Sequence, residues 1–365
     1  MSESTRSATE TDQTTPTLFG GGRGDRYSRQ TLFAGIGPAG QARLRGATVA
    51  IVGCGALGTV LANNLARAGV GHLRIADRDF IEVNNLQRQV LFDEEDIARG
   101  LPKAVAAAEK LRRVNGEISV EALVQDVTAD NIEALIAGAD VVMDGTDNFE
   151  TRYLINDACV RAGLPWVYSG VIAAYGVTMN VVPGETACLR CVFPERPLPG
   201  TTPTCDTAGV LNGIVGVIAS LASTEALKLV VGSDRLVRGM TWVDLWENTF
   251  DRLEVPRQED CPTCGRGEYD YLEGGDTSQG TTLCGRNAVQ VSATRGLEGA
   301  PAGQMDLAAL AERLRAVGEV AQNEFLLRLR VDGYEVTVFP DARAIVKGTD
   351  DPAVARTIYA RYIGA

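Results

Sequence analysis

A single histidine, His72, serves the whole 365-residue chain. Chemistry that needs a histidine base therefore has one candidate, and it stands at the start of a short apolar segment, where a polar strand end is the plainer reading. Excess positive charge is also missing. With 35 Lys and Arg against 47 Asp and Glu the net charge is −12, which argues against a nucleic-acid-binding surface, because phosphate binding needs surplus cations. No uninterrupted apolar span of membrane length occurs. The longest run, 210–231, is broken by Glu225 and Lys228, and charge in hydrocarbon is costly, so it reads as a buried core helix and no membrane partner is expected. The opening MSESTRSATETDQTTPT lacks the apolar core of a secretory leader, and residues 1–24 are expected to be a disordered tail. A cytoplasmic location follows as an expectation. The eight cysteines then point to metal ligation or catalysis, not to a disulfide scaffold.

What is present alternates. Short apolar strands and helical segments follow one another from Thr48 to Gly170, which predicts an α/β fold: a Rossmann-like, mostly parallel sheet flanked by helices. A later strand near 176–182 is placed antiparallel. Residues 183–207 turn to Pro, Thr, Arg and Cys, an irregular excursion. Gly-rich 268–283 reads as a linker, and 284–365 as a small α+β accessory domain with a hairpin around Asp332-Gly333 and a helix opened by Asp351-Pro352. The main domain is expected to span 25–267.

The chemistry gathers at strand ends. Strand 49–52 runs into Gly53-Cys54-Gly55-Ala56-Leu57-Gly58, the strand–turn–helix arrangement that cradles a nucleotide phosphate on free helix N–H groups. Asp77 and Asp79 close the next strand, with Asp77 at the spacing where an acidic residue meets ribose hydroxyls. Asn84-Asn85-Leu86-Gln87-Arg88-Gln89 is polar enough to take polyphosphate, or simply a hydrated loop. Lys103, in the first turn of a helix, opposes the helix dipole and hints at a compensating anion; an exposed lysine is the alternative. Asp144, Asp147 and Asn148 end another strand, with carboxylates suited to Mg²⁺ or a simple helix cap. Cys188-Leu-Arg-Cys191 and Cys261-Pro-Thr-Cys264 form two Cys-x-x-Cys knuckles that suit a structural Zn²⁺ closed by four thiolates, with a redox pair as the competitor. Cys54 and Cys159 read as packing. Cys205, just before a helix, is as readily reactive as inert, and Cys284 is undecided.

The order RYSRQ, GCGALG, DRD, NNLQRQ, GLPK, GTDN, CLRC, TCDTAG and CPTC resembles the ThiF/MoeB/HesA superfamily of ubiquitin-activating-enzyme-like adenylyltransferases, over about Asp25 to Gly265. The resemblance implies ATP-dependent adenylation of the C-terminal glycine of a small ubiquitin-like sulfur carrier protein ending in Gly-Gly, before thiocarboxylate formation, with a cysteine desulfurase or rhodanese as sulfur donor. It implies that Gly53, Gly55, Ala56, Gly58, Asp77 and Asp79 hold ATP, that Asn85, Arg88 and Lys103 grip its phosphates and stabilise charge in the transfer, and that Asp147, accompanied by Asn148, binds Mg²⁺. Arg29 matches an arginine inserted from the neighbouring subunit of a homodimer, Cys205 a cysteine active in sulfur transfer in some members, and the knuckles zinc ligands. Ala56 departs from the family, standing where a further glycine is common. The accessory domain lies outside the minimal pattern and reads as a docking or stabilising module. Thiamine, molybdopterin, tRNA thiolation and cysteine pathways all use such carriers. The alternative from another class is an NAD-dependent oxidoreductase, which the glycine turn and Asp77 alone would support.

Overall fold

The computed structural model describes residues 26–197, 204–274, 281–283, 287–291 and 305–364. Cys284 and the N-terminal residues 1–24 lie outside them.

The first sheet holds β1 (Thr48–Val52), β2 (His72–Ala76), β3 (Ser119–Leu123), β4 (Val141–Asp144), β5 (Trp166–Ile172), β6 (Tyr175–Val181), β7 (Met240–Asp244) and β8 (Thr249–Leu253). Their spatial order is β3-β2-β1-β4-β5-β6-β7-β8. The pairings from β3 to β5 are parallel, and those from β5 to β8 antiparallel. Strand order reverses at β1, whose neighbours are β2 and β4, and a crevice opens at such a point beyond the strand C-termini. The ends of β1, β2 and β4 and the start of the helix after β1 border it.

Helices α1 (Ser28–Thr31), α2 (Gly37–Gly46), α3 (Ala56–Ala68), α4 (Glu94–Ala98), α5 (Lys103–Val114), α6 (Ile132–Ile136), α7 (Phe149–Ala162), α8 (Leu189–Val192), α9 (Cys205–Ala208), α10 (Asn212–Val231) and α11 (Asp270–Glu273) surround the sheet. One apolar cluster fills the side of α3, α5 and α10, and a second fills the side of α6 and α7. Helix α10 is long and apolar enough to cross a membrane, yet it lies across the sheet with Ile214, Val215, Ile218, Ala219, Ala222 and Ala226 buried. Its Glu225 accepts hydrogen bonds from the Asn180 amide and the Val237 N–H and pairs with Lys228. A buried carboxylate so partnered is tolerable, and the core-helix expectation holds.

A second, antiparallel sheet has β9 (Thr281–Leu283), β10 (Ala288–Val291), β11 (Glu319–Gln322), β12 (Leu327–Val331), β13 (Tyr334–Val338) and β14 (Ala344–Lys347) in the order β11-β12-β13-β14-β10-β9. Helices α12 (Leu307–Leu314) and α13 (Pro352–Tyr362) close a core of their own. Asp332 and Gly333 both take positive φ (50° and 82°), the geometry of a tight two-residue hairpin. Strand β11 escaped the sequence reading because Glu319–Gln322 is largely exposed and carries no apolar stripe.

Two expectations need correction. The stretch 268–283, expected to be a linker, is ordered at both ends: α11 packs on α7 with Leu272 buried, and β9 joins the second sheet. The excursion 183–207 is not wholly irregular either, since α8 and the opening of α9 lie within it.

Candidate active site

The glycine turn is built by close contact. Gly53 has φ 89°, and a Cβ there would stand 2.7 Å from the Gly145 carbonyl oxygen; at Gly58 it would meet the Gly53 oxygen at 2.0 Å. Both glycines are required by the protein's own packing. Gly55 is different. A Cβ there would approach nothing nearer than the Gln89 amide nitrogen at 3.9 Å, so space is kept open above the first turn of α3. That is the cradle a phosphate would fill. Ala56 opens α3 as its first residue, a position where a methyl group is readily accommodated.

Asp77 stitches this turn to the end of β2. Its carboxylate accepts from the Cys54 N–H at 2.6 Å and the Asp79 N–H at 2.7 Å. Burial pushes its pKa up, with Lys103 opposing. Asp79 reaches Lys103 at 3.1 Å, and Lys103 is buried. The exposed-lysine alternative is thereby set aside: the anion that compensates Lys103 for the dipole is Asp79. Arg78 lies beside Asp126 at 2.6 Å; burial alone would lower its pKa, but the fields of Asp126, Asp79 and Asp147 outweigh that and raise it. Asp147 and Asp79 thus share a cationic neighbour.

Asn85 is buried in a short 3₁₀ turn, where its side chain accepts from the Glu82 N–H and donates to Asn84. Arg88 is half-buried and donates to the Asn84 carbonyl at 2.8 Å. Gln89, to which the sequence assigned no role, borders the turn. It is buried, its carbonyl oxygen has no partner among the described residues, and its amide borders the open space at Gly55. A glutamine in a polar run carries no sign of burial, so nothing in the pattern marks it.

Of the carboxylates expected to face a cation, only Asp147 is exposed. Asp144 is turned inward onto Arg152 (3.1 Å) and Thr146, and it is fully buried; it is not available to a metal. Asn148 caps α7 through the Thr151 N–H at 2.9 Å, with its amide 3.5 Å from Asp147. The cap alternative is thus realised for Asn148, while its proximity to Asp147 is kept.

Arg29 stands on α1, away from the turn. Gln30 anchors α1 to the Ala68 carbonyl at the far end of α3, and thirteen helical residues put that end roughly 20 Å from the glycine turn. Cys205 is half-buried and precedes α10 as expected, and it is also the first residue of the short α9, which Thr204 caps. His72 stands at the opposite end of β2 from Asp77, beside Glu121, and takes no part. Cys54 and Cys159 are buried thiols whose pKa burial pushes up, as packing residues should be.

The four knuckle thiols do converge. Every Sγ lies within 4.8 Å of the others, with Cys191 and Cys264 at 3.4 Å and Cys188 and Cys261 at 3.5 Å. These separations are far beyond a disulfide bond, and a tetrahedral ion at about 2.3 Å from each sulfur suits them. The Cys188 hydrogen bond pulls the Cys191 thiol below its ordinary value. Helix α7 fixes both knuckles: Asn156 accepts from the Leu189 N–H at 2.9 Å and Asp157 from the Thr263 hydroxyl at 2.9 Å. Both are buried polar residues on a helix whose sequence shows no clean apolar stripe, and no local pattern singles them out.

Comparison with known proteins agrees with this geometry. A family model described as the ThiF family matches residues 27–263. The sulfur carrier protein ThiS adenylyltransferase of Bacillus subtilis is 44% identical over 344 residues, 93% of this chain and 99% of that protein. The SAMP-activating enzyme E1 of Haloferax volcanii is 41% identical over 250 residues, 68% of this chain and 92% of that one. Among solved structures, E. coli MccB with ATP superposes with a TM-score of 0.58 at 26% identity, over 67% of this chain and 75% of that chain. A glycine turn on the first strand, its acidic stitch and a four-thiol cluster therefore sit on a shared scaffold, and the chain belongs to the ThiF family.

Proposed function

We infer that the protein is an adenylyltransferase that uses ATP to activate the C-terminal glycine of a small ubiquitin-like sulfur carrier protein. The observation that carries the reading is the open space at Gly55 beside Gln89, with Lys103 and the exposed Asp147 at the neighbouring strand ends, in a chain that matches a ThiS adenylyltransferase over nearly its whole length. Phosphate would rest on the N–H groups of the first turn of α3. Asp77 keeps lone pairs for ribose hydroxyls beyond the two N–H bonds it accepts. Arg88 and Lys103 would neutralise the triphosphate, and Asp147 would hold Mg²⁺, whose charge assists the departure of pyrophosphate.

The carrier's terminal carboxylate attacks the α-phosphorus, the bond to the β-phosphate oxygen breaks, and acyl-adenylate and pyrophosphate form. A carboxylate is already ionised at neutral pH, so no histidine base is required, in keeping with a chain that has one histidine remote from the site. Catalysis rests on positioning and charge neutralisation. A sulfur donor, such as a cysteine desulfurase or rhodanese, would then displace AMP, with Cys205 taking part in the transfer. Zn²⁺ on Cys188, Cys191, Cys261 and Cys264 would be structural, since four protein thiolates leave no open position. A homodimer would carry Arg29 to the neighbouring site, and the exposed Leu32 and Phe33 beside it suit such an interface. Nothing in the relatives favours the nicotinamide alternative.

The test is ATP–pyrophosphate exchange dependent on a Gly-Gly-ending carrier. Wild-type protein should catalyse it, and Asp147→Ala should reduce it by roughly 100-fold or more, the scale on which a lost electrostatic stabiliser acts. Exchange at background with every such carrier would overturn the reading.

A further inference from the structure

The second sheet does not merely hang from the first. Several of its contacts fall on the two segments that bring Asp79 and Lys103 to the candidate nucleotide site, and others reach Asp126 and the first sheet's core. Lys347 on β14 forms an ion pair with Glu82 at 2.5 Å. Phe339, just past β13, stacks on Phe80 with ring centroids 5.5 Å apart. Asn323 donates to the Gly100 carbonyl at 3.0 Å, in the turn that leads into Lys103. Gln290 on β10 donates to Asp126 at 3.0 Å, the same carboxylate that holds Arg78. Phe325 packs into the core cluster of the first sheet.

These contacts join a network. Phe80 and Pro102 are linked by a backbone bridge, the Lys103 N–H donates to the Asp79 carbonyl at 2.9 Å, and the Lys103 ammonium pairs with the Asp79 carboxylate. Segments 78–82 and 99–103 are therefore tied into one piece, and the second sheet grips both. That sheet has a core of its own besides this face. Loops carry function but are mobile unless held, and a site is only as precise as the shell that supports it.

We propose that the C-terminal unit is an intramolecular brace for the nucleotide site, in which Lys347, Asn323 and Gln290 are positioning residues that hold Asp79 and Lys103, through the 78–82 loop and the 99–100 turn, in the arrangement that takes ATP. The proposal rests on the adenylation reading. It has a reciprocal consequence: if the brace favours ATP, ATP must tighten the brace by the same factor.

The experiment is calorimetric titration of full-length protein with ATP and Mg²⁺, alongside the exchange assay. Lys347→Ala combined with Asn323→Ala should weaken ATP binding roughly three- to tenfold, the combined scale of two half-buried polar contacts. The carrier's KM should be unchanged, and Lys347→Arg should keep wild-type ATP affinity. In wild type, ATP should slow amide hydrogen exchange in 344–347, and the double variant should lose that protection. Equal ATP affinity in wild type and the double variant would overturn the brace and leave the unit a passive appendage. A wild-type protein that binds no ATP would overturn the adenylation reading first, and the brace with it.

Discussion

Lys103 and Gln89 illustrate how single residues acquire a role here. Lys103 sits in a helix N-terminal turn, where the dipole disfavours a cation, and is nevertheless buried. Asp79 offsets that cost by charge pairing at 3.1 Å, and Arg78 in turn balances the acidic cluster of Asp79, Asp126 and Asp147. Charge is thus largely compensated before a triphosphate arrives, which is how an acidic chain would accept a polyanion. Lys103→Met should cut ATP–pyrophosphate exchange by roughly 100-fold while Arg78 continues to pair with Asp79, so the melting midpoint should move little. A collapse of the midpoint with a normal exchange rate in the surviving protein would assign Lys103 to structure instead. Gln89 adds a buried carbonyl with no partner among the described residues, a group that gains from any donor placed against it.

Among the elements, α7 has the widest reach. Its N-cap Asn148 lies beside Asp147, its Arg152 neutralises Asp144, and its Asn156 and Asp157 fasten the two knuckles. One helix therefore ties the candidate Mg²⁺ ligand to the four-thiol cluster. Cys261→Ser should lower bound zinc from about one ion per chain to a small fraction, since a structural site needs all four ligands. The melting midpoint should fall by on the order of 10 °C, given about 2–4 °C per kcal/mol for a domain of this size and several kcal/mol from the ion. Stoichiometric zinc in the variant, measured by atomic absorption, would rule out Cys261 as a ligand.

At the scale of the molecule, the two sheets and a second copy of the chain are expected to cooperate at one crevice. Arg29 follows Ser28 on a helix that Gln30 anchors at the end of α3 far from the glycine turn, so its place in the mechanism would be at a neighbour's site. Mixing Arg29→Ala chains with Asp147→Ala chains should restore about a quarter of wild-type exchange, because each mixed dimer of a symmetric pair has one intact site. Activity no greater than the sum of the two variants alone would remove Arg29 from the mechanism.

The local chemistry was readable in one dimension. The turn at Gly53–Gly58, the strands His72–Ala76 and Ala288–Val291, the break at Gly100–Pro102 and the hairpin at Asp332-Gly333 all follow from backbone sterics and short-range pattern, and the structure places each as the sequence implies. Pairing of the distant knuckles was legible too, because four thiols in two Cys-x-x-Cys steps have few other uses. Which carboxylate faces outward was not legible. Asp144 and Asp147 stand three positions apart in the same motif, and only the packing of Arg152 against the sheet turns one inward and leaves the other exposed. The same holds for the burial of Gln89 and for the contacts of Lys347 with Glu82 and of Asn323 with Gly100. Those contacts join residues more than two hundred positions apart, and no local rule of turn, period or propensity reaches that far; tertiary packing alone decides them.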